Sequence, residues 1–257
     1  MGYILPDLNL LKVTKEIEED GRLGEFVIEP LSPGYGVTVG NTLRRILLSS
    51  LEGAAIVSLK IVGASHEFST LKGVKEDVVD LILNLKTARF KLNGDGPARL
   101  ELSVKGPRKV TCADFKKSSD VEPVDQDHYI ATIEKGGKLE LEIEVNRGRG
   151  YIPVEKRSDE KVPVGTILVD SIYTPVKKVR YDIVNTRVGS VTNYDKLVIE
   201  LTTDGSISAQ EALDMAAKIM SEHLDVICEA CKTAPAEIAK LKTPRRKKAP
   251  AKANEKK

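Results

Sequence analysis

"EPLSPGYGVTVGNTLRRILLSSLEGAAI", Glu29 to Ile56, contains the change of pattern on which the fold turns. Upstream, "LNLLKVTKEIEEDGRLGEFVIEPL" alternates apolar and polar residues around an Asp20-Gly21 turn signal, which predicts a β-hairpin. From Val37 to Leu51 the apolar spacing lengthens from two to about 3.6 residues, which predicts a helix, with Gly53 as its stop. "AAIVSLKIVG" then reads as a strand, and "HEFSTLKGVKEDVVDLILNLKTA" sets Val74, Val78, Leu81, Ile82 and Leu85 at helical spacing. Past Arg89 the pattern is almost wholly strand-like, broken by Gly-Pro, Gly-Gly and Asp-Gly turns. "SAQE", Ser208 to Glu211, is a capping box that starts a last helix, predicted to run to about Cys231. Leu213, Ala216, Ala217, Met220, Leu224 and Ile227 line one side of it, and Glu211, Asp214, Lys218 and Asp225 the other. The fold class predicted is α+β, rich in strands.

The chain has 257 residues, enough to bury a substantial core, and is 41% hydrophobic and 30% charged, as a soluble globular protein would be. No apolar run is long enough to span a bilayer, and "MGYILPDLNL" has neither a signal-peptide pattern nor, with Pro6 in the Ser/Thr place, a myristoylation motif. Three cysteines cannot build a disulfide framework. Reduced thiols in a cytoplasmic protein are expected. The net charge of +2 conceals a segment, Lys242 to Lys257, with eight basic residues and one Glu. The remainder holds 32 basic and 37 acidic residues, too acidic for a broad nucleic-acid surface. The tail from 233 to 257 is low in apolar residues, and disorder is expected there.

Both long helices have more apolar surface than one contact needs. In the first, Leu43, Ile46, Leu47, Leu48 and Leu51 sweep about 200° of the wheel, against the ~100° stripe of an ordinary surface helix. The excess is covered either by a second copy packed across a two-fold axis or by a central place in a monomer. Arg44 falls within the apolar arc and is read as structural, with Glu52 as its local partner. Arg45 lies with Asn41, Thr42 and Ser49 on the polar face, free for a third party.

Candidate chemistry is sparse. Gly34, Gly36 and Gly40 of "GYGVTVG" give GxGxxxG where a dinucleotide loop needs GxGxxG, and no alternation of strand and helix follows. A structural turn outweighs the nucleotide-binding alternative. "CEAC", Cys228 to Cys231, has no second half for a zinc site and sits at a helix end, so half-buried, inert thiols are expected. His66, His128 and His223 are scattered, with His223 read as a hydrogen-bonded interface residue. Asp125 and Asp127 lack a third acid for magnesium. "NRGRGY" occurs once and reads as a turn. No catalytic, cofactor-binding or metal-ligating residue is assigned.

Taken in order, "EPLSPGYGVTVGNTLRRILLSSLEGAAI", "HEFSTLKGVKEDVVDLILNLK", "NRGRGYIP", "GTILVDSIYTPVKKVRYDIV" and "DKLVIELTTDGSISAQEAL" resemble the N-terminal region of the bacterial DNA-directed RNA polymerase alpha subunit family, from Glu29 to about Cys231. The resemblance implies a discontinuous dimerisation domain, residues 1–52 and 179–232, with a β-rich domain, 53–178, inserted into it. It implies a homodimer, with contacts expected at Leu43, Ile46, Leu47, Leu213, Ala217, Met220, Leu224 and Ile227. It further implies a non-catalytic platform for the beta and beta prime subunits, in a complex that also holds omega and sigma. Arg45 and Leu48 match positions that dock beta, and Lys86 and Val169 positions that dock beta prime. No cofactor is expected on this chain, magnesium and zinc belonging to the partner subunits. The family's C-terminal DNA-binding domain is missing from the sequence, so DNA is expected to be met through the complex, with at most a weak contact from the basic tail. No membrane partner is expected.

Overall fold

The computed structural model describes residues 12–18, 20–94, 96–157, 163–188 and 191–238. The N-terminal hairpin forms as expected from β1 (Lys12–Ile17) and β2 (Leu23–Leu31). After them come α1 (Tyr35–Ser49), β3 (Glu52–Ile61), α2 (Val78–Thr87), β4 (Phe90–Leu92), β5 (Ala98–Lys105), β6 (Arg108–Thr111), β7 (Val121–Pro123), β8 (Tyr129–Ile133) and β9 (Lys138–Arg149). The chain continues through β10 (Tyr151–Ile152), β11 (Thr166–Leu168), β12 (Ser171–Ile172), β13 (Val176–Val188) and β14 (Val191–Thr203) to α3 (Ala209–Ile238). The fold class is α+β, with antiparallel sheets.

One four-stranded sheet, ordered β1-β2-β14-β13, joins the two ends of the sequence, Phe26 pairing with Ile199 and Tyr181 with Ile199 on the other side. α1 lies across β13 and β14 and touches α3. We call this the terminal lobe. Its core holds Phe26, Leu43, Leu47, Leu197, Ile199, Leu201 and Ala212. A second sheet, β11-β3-β9-β5, belongs to the central lobe, with α2 packed on β3 and β8. The strict alternation of "ARLELSVK" puts Ala98, Leu100, Leu102 and Val104 inside and their neighbours out. Those residues join Leu59, Leu81, Leu85, Ile130, Ile143 and Val145 in a separate core.

α1 can approach its sheet because two of the four residues on its buried face are glycines, Gly36 and Gly40, beside Leu43 and Leu47. A Cβ on Gly40 would stand 2.8 Å from Tyr181 Cδ2 and 2.9 Å from Leu197 Cδ1. The helix begins at Gly34, φ 85°, and ends when the Ser50 amide donates to the Ile46 carbonyl. It therefore stops before Leu51, which is buried, and Gly53 is part of β3 where a helix stop was expected. Val74 likewise precedes α2 and pairs with Ile133 as an isolated bridge. The capping box at α3 forms reciprocally: the Glu211 amide donates to Ser208 Oγ at 3.2 Å, and the Ser208 amide to Glu211 Oε2 at 3.0 Å. α3 runs through Ile238, so residues 233–238, expected in a disordered tail, are helical. Residues 239–257 of that tail lie outside the described residues, as do 1–11.

Candidate partner-docking surfaces

The N-terminus of α1 settles what its glycines are for. The Gly34 and Gly36 amides both donate to Asp195 Oδ2, at 2.9 and 3.0 Å, and Asp195 is buried. A carboxylate from β14 thus fills the position at which a phosphate would meet the helix dipole. These backbone donors are already engaged, and the structural turn prevails over a cofactor loop.

The opposite side of α1 is open. Val37, Asn41, Arg44, Arg45 and Leu48 are exposed, so two apolar side chains, Val37 and Leu48, stand on this side with an amide and two guanidinium groups between them. Arg44 does not have the structural role expected of it: Glu52 instead accepts from Arg149 Nη2 at 2.6 Å and Nε at 3.0 Å. Arg45 lines a groove of about 470 Å³ between α1 and α3, with Thr42, Ile46, Met220, His223 and Leu224 among its other walls. His223 Nδ1 donates to the Ile219 carbonyl at 2.8 Å.

α3 is buried only along its first third. Ala209, Ala212 and Ala216 are fully enclosed, whereas every residue from Ser221 to Lys232 is exposed, including Leu224 at 51%, Val226 at 66% and Ile227 at 57%. The helix outruns its own sheet and carries its apolar stripe with it. Cys228 and Cys231 are exposed on this stretch, where half-buried thiols were expected. Of the residues expected at a dimer contact, Leu213, Met220 and Ile46 are half-buried and Ala217, Leu224 and Ile227 exposed. Leu43 and Leu47 are 4% and 0% exposed and fill the lobe's own core, so they have no surface to offer a second copy.

A second surface lies on the central lobe around Asp170. Its Oδ2 accepts from Lys86 Nζ at 2.9 Å and its Oδ1 from the Val154 amide at 3.0 Å. The Lys86 ammonium also stands 5.9 Å from the centroid of the Tyr151 ring. Lys86 lowers the Asp170 pKa from its ordinary value, assisted by the Val154 amide. Burial, and the charge of the nearby Asp170 carboxylate, raise that of Tyr151. Val169, expected to dock a partner, points inward at 3% exposure. Its carbonyl accepts from the buried Arg157, which also donates to the Val57 carbonyl at 3.2 Å and to Ser171 Oγ at 3.0 Å. Asp170, Tyr151 and Arg157 were not singled out from the sequence. The signal available was an Asp beside Val169 and an Arg within "GYIPVEKR", neither distinctive without the pairing of β10 with β12.

The remaining candidates are structural. Cys112 is buried and its thiol is pushed up to about 12 by burial, with Asp125 adding to the shift. Asp125 accepts from the Asp127 amide at 3.1 Å in a tight turn, and His128 Nε2 donates to the Asn84 carbonyl at 2.9 Å. Arg147 and Arg149 of "NRGRGY" lie in β9 and bond to Leu92 and Glu52. Among the described residues no helix is long and apolar enough to cross a membrane.

Residues 58–174, most of the central lobe, match a family model described as "RNA polymerase Rpb3/RpoA insert domain". The chain is 53% identical over 208 residues to the protein named DNA-directed RNA polymerase subunit alpha from Clostridium botulinum strain Eklund 17B, and equally to those of strains Alaska E43 and Hall. The match covers 81% of this chain and 66% of each relative. An identity of that level over 208 residues, more than the central lobe alone contains, places the chain in the family of the bacterial DNA-directed RNA polymerase alpha subunit.

Proposed function

We propose that this chain is a non-catalytic assembly subunit of a bacterial RNA polymerase: it dimerises through the terminal lobe, residues 1–52 and 179–232, and receives beta and beta prime on separate surfaces. The observation that carries the proposal is the half of α3 that outruns its sheet with Leu224, Val226 and Ile227 uncovered. A second copy would cover it, with Ile46, Leu213, Ala217, Met220, Leu224 and Ile227 as contacts. Arg45 and Leu48 would dock beta, both being exposed on α1 and arginine being enriched among the residues that carry binding energy. Lys86, held by Asp170 and stacked near Tyr151, would dock beta prime. Val169 would act through the Arg157-bound backbone that shapes this surface. Nucleotidyl transfer, with its magnesium and the zinc of the complex, would belong to the partners, DNA would be met through them, and the site of action would be the cytoplasm. Arg45→Ala tests the reading: the dimer mass by sedimentation should be unchanged while co-purification with beta falls at least about tenfold, the loss of one hot-spot contact. Undiminished co-purification would remove Arg45 from the docking surface.

A further inference from the structure

The two cores do not merge, and a seam runs between them. A cavity of about 240 Å³ opens there, walled by Phe90, Lys91 and Arg147 of the central lobe and by Ser206, Ile207 and Met215 of the terminal lobe. Beside it an ion pair crosses the seam. Arg89, just after α2, is rooted in the central lobe: its carbonyl accepts from the Val124 amide at 2.9 Å and its Nη1 donates to the Ile172 carbonyl at 3.0 Å. Its Nε faces Asp204 Oδ2 at 3.5 Å, with the two side chains 19% and 4% exposed. That Nε is buried and makes no hydrogen bond, so charge rather than directed bonding holds the pair.

Asp204 is equally fixed on its own side. Oδ1 accepts from the Ser206 amide at 2.9 Å and from Ser206 Oγ at 2.6 Å, and its own amide donates to the Pro175 carbonyl at 2.9 Å. The turn it occupies presses on the central lobe at Gly205, φ 93°, where a Cβ would stand 3.1 Å from Val124 Cγ1. Arg89 follows Lys86 by three residues, and its acceptor Ile172 follows Asp170 by two. The segments that carry the Lys86–Asp170 cluster are therefore the ones tied to the base of α3.

We infer that Arg89 and Asp204 are positioning residues that set the angle between the Lys86–Asp170 surface and the α1/α3 surface. The inference rests on the assembly reading above, because the angle matters when one chain must engage two partners at once. Two linked contacts reinforce each other only if the geometry lets both form. A buried carboxylate that loses the cation paired with it is destabilised in place, so the seam, not either core, should yield.

The test uses the full chain carrying Arg89→Met or Asp204→Asn, the latter keeping the shape of the turn. Amide hydrogen exchange should accelerate by about tenfold or more at Val124, Asp204 and Ser206, with β9 and the centre of β14 at parent rates. Small-angle scattering should show a broader distribution of interatomic distances. Joint assembly with beta and beta prime should fall while binding of beta alone is retained, and Arg89→Lys, which restores the charge, should recover it. Parent-like exchange at the seam together with a parent-like scattering curve would overturn the positioning role. Failure of the unaltered chain to assemble with beta and beta prime would overturn the assembly reading and leave the seam measurement to decide the rest.

Discussion

Asp170 shows how much one carboxylate can organise. It binds an ammonium and a backbone amide at once, and with its side chain and that of Lys86 each under a third exposed, its loss should cost about 1 kcal/mol. Its pKa is lowered in the folded chain, so the stabilisation is present above the unfolded value and is lost as pH falls through the folded one. Asp170→Asn should therefore be less stable than the parent in urea at pH 7, and the gap should close toward pH 2. A gap that is constant with pH would assign the effect to packing instead of charge. Residue roles of this kind were poorly legible in advance. Arg45 could be placed on an outer face from helical spacing alone and is exposed, whereas Leu48, which the wheel counts in the apolar arc, is exposed as well. Val169 could not, because a bare string does not show that Arg157 holds its carbonyl and turns its side chain inward.

At the level of elements, legibility followed the strength of the local signal. The capping box of α3 needs only Ser208 and Glu211, three residues apart, and it formed as read. The alternation in β5 needs only its own eight residues. α1 was harder, since the wheel counted its large apolar side chains and passed over Gly36 and Gly40, which mark the face that lies closest to the sheet. That omission also displaced the expected interface onto Leu43 and Leu47. The glycines give a direct prediction. Gly40→Ala would put a methyl within 3 Å of Tyr181 and Leu197, forcing α1 outward at a cost of about 1–3 kcal/mol. Chemical denaturation should register the loss, and an unchanged midpoint would mean that Tyr181 moves aside freely.

For the whole molecule, the uncovered part of α3 is the feature that a single chain leaves unexplained. Leu224→Glu would introduce a charge into the stripe, and light scattering should then report the mass of one chain, with α-helical circular dichroism retained. A variant with the parent's mass would exclude this face from self-association. The order in which the lobes can close follows from Asp195. It lies 161 residues beyond Gly34, whose amide it binds, and the whole core of the central lobe is encoded between them. At 5–20 residues per second the ribosome takes roughly 8–30 s to cover that distance. A nascent chain halted before β14 would carry a complete central lobe and a first helix without the strand that joins β2 to β13 and without its carboxylate. The exposed stretch of α3 thus comes into being last, when nearly all of the described chain has been made.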